Sequence, residues 1–103
     1  MTRTTIERPA GDAAYRQAVG KVTSTTLNDN AVVMLVDDGR FFDLDAVGTA
    51  IWTQLAEESR FDEIVAALVA RYAVEPGVCA DQTATFLTEL QRIGLIERRD
   101  LPS

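Results

Sequence analysis

The spacing of apolar residues changes period along the chain, and the change divides it into strands followed by helices. From Lys21 the run KVTSTTL is rich in β-branched residues and closes on NDN, Asn28 to Asn30, which reads as a strand and a hairpin turn. AVVMLV, residues 31–36, is a continuous apolar run bounded by turns and too short for an ordinary helix, as expected of a central strand. DDGR then puts Asp38 and Gly39 where a two-residue type I′ turn needs positive φ, which predicts a third strand at RFFDL, Arg40 to Leu44. Side chains alternate across the pleat, so Phe42 and Leu44 share the face toward the core, and Phe41 and Asp43 share the other.

After Leu44 the period becomes helical. Asp45 stands where a carboxylate accepts from a free N–H and meets the positive end of the dipole, so a helix starts there, with Val47, Ile51, Trp52 and Leu55 on its apolar side. FDEIVAALVARYAV repeats the pattern, with Phe61, Ile64, Val65, Leu68, Val69 and Tyr72 on one stripe, and EPG, Glu75 to Gly77, ends it. A third helix is predicted from about Val78 or Asp81 to Ile93, carrying Phe86, Leu87, Leu90 and Ile93 inward. Gly94 sits where a left-handed cap is needed, with Leu95 packing back on Leu90. Three strands followed by three helices argue for an α+β fold, an antiparallel sheet covered on one face.

Outside this block, residues 1–17 mix Thr, Arg, Pro, Gly and Ala without a period and read as a poorly ordered arm. Residues 18–97 form the one domain that 103 residues accommodate, and 98–103 read as a tail. The apolar share of 47% and charged share of 25% are those of a soluble globular protein. No apolar run approaches bilayer length and the N-terminus has no signal-peptide core, so the expected location is the cytoplasm.

Chemistry enters mainly by exclusion. The chain has no histidine, which removes the commonest general base, the commonest metal ligand and every Ser/His or Cys/His pair, and Cys79 is its single cysteine. The acids Asp37, Asp38, Asp43 and Asp45 lack the glycine and terminal glutamate of a calcium loop, and Asp38 and Asp45 have turn and cap duties, so no metal and no cofactor is expected. Glu57 with Glu58, and Asp62 with Glu63, are adjacent rather than facing, a weak basis for an acid/base enzyme. The formal charge of −6 is concentrated between Asp37 and Glu63, where eight acids stand against Arg40 and Arg60. Such a surface repels nucleic acid and anionic membranes, which weighs against the alternative of a winged-helix DNA-binding regulator.

What remains is an exposed strand. The third strand of a short meander is a sheet edge, with Phe41, Phe42 and Leu44 guarded only by Arg40 and Asp43. An open edge is a site where a guest peptide can add as a further strand, although apolar strand residues are also ordinary core.

The segments VVMLVDDGRFFDLDAVGTAIWTQL, FDEIVAALVARYAV and FLTELQRIGLIE, in this order, resemble the PqqD-like proteins, also called RiPP recognition elements, over residues 21–97. The resemblance is carried by the Gly-Arg-aromatic-aromatic-x-Leu run from Gly39 to Leu44, by Trp52, by Asp62-Glu63-Ile64 and by the ending from Leu90 to Ile96. Many relatives have Asn where this chain has Asp45, and both cap. Taken together these residues resemble the small stand-alone members found in lasso-peptide pathways. The resemblance implies a winged helix-turn-helix-like, non-catalytic domain that binds the leader of a ribosomally made precursor and presents it to a separate leader peptidase, with the lasso cyclase acting in the same pathway. It implies that the leader adds antiparallel to the third strand and lies between that strand and the third helix. Carried onto this chain, the edge is Arg40, Phe41, Phe42, Asp43 and Leu44, and the helix wall is Val78, Gln82, Thr85, Phe86 and Glu89.

Overall fold

The computed structural model describes residues 9–100. Its elements, in order, are β1 (Ala13–Gln17), β2 (Val22–Leu27), β3 (Asn30–Leu35), β4 (Arg40–Asp43), α1 (Ala46–Gln54), β5 (Ser59–Arg60), α2 (Phe61–Tyr72), α3 (Pro76–Ile93) and β6 (Ile96–Asp100). The expected meander is β2-β3-β4, antiparallel throughout, and the fold is α+β with three helices after it.

Of the two hairpin turns, the first falls where expected and the second differs. Asn28 and Asp29, with φ of 52° and 70°, form the two-residue turn between the paired residues Leu27 and Asn30. At the second turn Leu35 pairs with Arg40, which leaves the loop Val36 to Gly39, and there only Gly39 is left-handed, with φ of 70°. The type I′ turn expected at Asp38 and Gly39 is therefore absent. Asp38 instead uses its side chain: Oδ1 accepts the Arg40 N–H at 3.1 Å and Oδ2 pairs with Arg40 Nε at 2.8 Å, local bonds that close the loop without left-handed backbone at Asp38.

A second sheet, β5-β1-β6, was not foreseen. The part of the expected arm from Ala13 to Gln17 is its central strand, with Ala13 opposite Asp100 and Gln17 opposite Ile96, and residues 1–8 lie outside the described residues. Likewise the expected tail is strand up to Asp100. Ala13, Ala14 and Tyr15 are buried there. Burial pushes the Tyr15 phenol above its ordinary value, and the neighbouring Arg98 guanidinium pulls it part of the way back.

The helices follow the predicted stripes with two changes. EPG does not end α2; Ala73 does, in a left-handed cap with φ of 52°. Glu75 then caps α3, its carboxylate accepting from Gly77 N–H at 3.0 Å and Val78 N–H at 2.6 Å, and Pro76 occupies the first turn, where its missing N–H costs nothing. Val47 is not on the core side of α1 but 44% exposed. At the far end of α3, Gly94 (φ 101°) completes the Schellman pattern, with Leu95 N–H donating to Leu90 C=O at 2.9 Å.

Leu55, Ile64, Leu87, Leu95 and Val33 are the largest fully buried side chains, each contributing about 1.5–3 kcal/mol by removal from water. Trp52 is core as well, its Nε1–H donating to Ser24 Oγ at 3.2 Å.

Candidate peptide-binding groove

The β4 strand owes its position to the junction that follows it. Leu44 N–H donates to Ala31 C=O at 2.8 Å, and Ala31 N–H donates to Thr49 Oγ1 at 2.8 Å. The Thr49 hydroxyl in turn donates to Leu44 C=O at 3.4 Å, so one buried side chain in α1 ties the ends of β3 and β4 together. Asp45 caps α1 as predicted, Oδ1 accepting from Gly48 N–H at 2.7 Å. The strand is thus handed to the helix over two residues.

That junction fixes which way the main chain of β4 points. In an antiparallel ladder successive residues direct their N–H and C=O to opposite sides. Because Leu44 donates inward to β3, Phe42 and Arg40 also face β3, and the N–H and C=O groups of Phe41 and Asp43 face outward. Among the described residues no strand pairs on that outer side. The side chains are arranged as the alternation predicts: Phe41 is 67% exposed, Phe42 half-buried against the core and Leu44 buried. Arg40 lies over Phe42, its guanidinium carbon 5.4 Å from the ring centre.

Beside the edge a cleft of about 400 Å³ opens between two walls. One wall is Asp43, Leu44 and Asp45 with Val47, Gly48 and Ile51 of α1; the other is Leu68, Tyr72 and Val74 with Cys79, Gln82, Thr83 and Phe86 of α3. Its floor is apolar and its only charged lining groups are the carboxylates of Asp43 and Asp45. Of the residues predicted for the site, Asp43, Leu44, Gln82 and Phe86 meet in this cleft, and Arg40, Phe41 and Phe42 lie along the edge strand. Val78, Thr85 and Glu89 are exposed along α3 outside the cleft lining; Thr85 Oγ1 donates to Asp81 C=O at 3.0 Å, and Glu89 is paired with Arg92.

Sequence reasoning missed the α1 wall and the Tyr72–Val74 end. Val47 carried a signal: a valine one turn ahead of Ile51 fits an apolar stripe, and only the depth of the junction decides whether it is covered. Cys79 is buried in the cleft wall, its sulfur 3.9 Å from Thr83 Oγ1. Among the described residues no group of three or more His, Cys, Asp or Glu is placed to hold a metal ion, and no helix is long and apolar enough to cross a membrane.

A three-stranded meander whose β4 edge is open, backed by three helices that leave a cleft along that edge, defines a small α+β domain of the recognition-element type. The chain belongs to the PqqD family: residues 30–96 match the family model described as coenzyme PQQ synthesis protein D. Among solved structures it is similar to one described as TbiB1 in complex with the TbiA(β) leader peptide, at 34% identity and a TM-score of 0.74, covering 80% of this chain and 94% of that one. A lasso peptide synthetase B1 complexed with its leader peptide shares the fold at 18% identity, with a TM-score of 0.71 over 85% of this chain and 98% of that one. Comparison with curated proteins gave no match.

Proposed function

We propose that this chain is a non-catalytic binding protein for the leader region of a ribosomally made precursor peptide of the lasso type, which it presents to a separate leader peptidase and, in the same pathway, to the cyclase. The leader adds as a strand along Arg40, Phe41, Phe42, Asp43 and Leu44. Its side chains on the inner face enter the cleft beside Gln82 and Phe86, and its flank runs past Val78, Thr85 and Glu89. Main-chain bonds supply affinity without regard to sequence, and the apolar cleft supplies choice. The observation that carries this reading is the outward row of donors and acceptors on β4 beside the cleft. The likeness to TbiB1 supports the identity of the guest.

A DNA-binding role gains nothing from the structure, since the only charged groups lining the cleft are two carboxylates and the net charge is −6.

The test separates main chain from side chain. Asp43→Pro deletes an outward donor and is expected to weaken binding of a fluorescent leader peptide about tenfold or more, whereas Asp43→Ala, which keeps the N–H, leaves it within about threefold. Thr26→Pro is the control on the other edge of the sheet: Leu27 and Asn30 close the first hairpin, so the Thr26 N–H also points outward, away from the cleft. Anisotropy should show that variant binding like the parent. Equal affinity for parent and Asp43→Pro, with circular dichroism unchanged, would remove β4 from the account.

A further inference from the structure

Gly48 occupies the third position of α1, where glycine is a poorer helix former than alanine. Its conformation does not demand glycine, because it is not among the residues with positive φ. What distinguishes it is proximity. A Cβ at this position would lie 3.1 Å from Phe86 Cζ and 3.4 Å from Phe86 Cε1, and 3.1 Å from Asp45 Oδ1. The carboxylate is the free end of a side chain and can turn aside. The Phe86 ring has less choice: it is half-buried, it packs on the core from α3, and the open space beside it is the cleft that it and Gly48 both line.

We propose that the bare backbone at Gly48 seats the Phe86 ring and so sets the depth of the cleft, which makes this pair the determinant of how large a guest side chain is accepted. This rests on the peptide-binding reading above. A methyl group at position 48 displaces the ring by a few tenths of an ångström, and the displaced ring takes its room from the cleft. Shortening residue 86 gives that room back.

The experiment uses the full chain and its variants Gly48→Ala, Phe86→Leu and Gly48→Ala/Phe86→Leu, each selecting from a phage-displayed library of random dodecapeptides. Enriched peptides are then measured one by one by anisotropy. Gly48→Ala is expected to melt no lower than the parent, to shift selection at one guest position toward smaller side chains, and to bind the parent's best peptide about tenfold more weakly, the effect of one methylene-sized change in an apolar pocket. The double variant should recover most of that loss. Phe86→Leu alone should extend selection to the largest side chains, and it tests the idea even if Gly48→Ala does not fold. Identical selections by all folded variants, or no recovery in the double variant, would overturn the proposal while leaving peptide binding intact. A parent that enriches nothing would overturn both.

Discussion

Thr49 is 8% exposed, and its single hydroxyl serves two strands at once, accepting from Ala31 N–H and donating to Leu44 C=O. Thr49→Val keeps the shape and deletes both bonds, leaving a buried N–H without a partner. The expected loss is about 1–3 kcal/mol in urea denaturation, with Thr49→Ser retaining most of the parent stability. Asp38 offers a second check at this scale. The Arg40 main-chain N–H, helped by the Arg40 guanidinium, holds its carboxyl below the usual range. A folded value below the unfolded one means that the group's stabilising contribution is present at neutral pH and is lost as pH falls through the lowered folded value. NMR titration should place the Asp38 midpoint below that of an ordinary aspartate. Arg40→Gln should raise it only in part, because the main-chain donor remains. Caps were readable in the sequence because one residue decides them: Asp45 and Gly94 both do what their types prefer. Asp38 was misread because aspartate can enter left-handed backbone or bond its own neighbour, and the pairing of Leu35 with Arg40 chose the second.

Among the elements, α3 is the beam on which the cleft is built. Leu90 is 3% exposed beneath it, and Leu90→Ala is expected to cost about 2–5 kcal/mol through the cavity left behind. A thermal melt matching the parent would show that the helix presents a different face inward. The meander and the helices were legible because their periods are local and strong. β1 was not: AAYRQ has two alanines, no clear alternation, and a partner strand at the other end of the chain, so only tertiary pairing makes it a strand. The same is true of β6, where Glu97, Arg98 and Arg99 look solvated in the sequence, yet their backbone completes a ladder. The start of α3 was set too late because Glu75-Pro76-Gly77 resembles a stop; the Glu75 carboxylate makes it a start.

For the molecule as a whole, the second sheet changes what can be removed. Gln17 N–H donates to Leu55 C=O, and Ala18 N–H to Leu95 C=O, so the strand once read as an arm is bonded to the ends of both α1 and α3. A chain beginning at Ala18 is expected to lose its cooperative thermal transition by circular dichroism, since Tyr15 and the centre of a sheet go with the deleted residues. Retention of the parent melting temperature would mean that β1 adds nothing. The candidate groove was half legible: its strand followed from hairpin logic and its helix from periodicity, but the cleft between them arises from packing of α1 against α2 and α3, which no linear pattern displays.

Because Ala13 faces Asp100 across the ladder, roughly 5 Å apart, the first and last strands of the described residues are joined side by side, on the sheet that does not carry the cleft. The pairing that closes the ladder between the two ends of the fold therefore sits apart from the candidate groove.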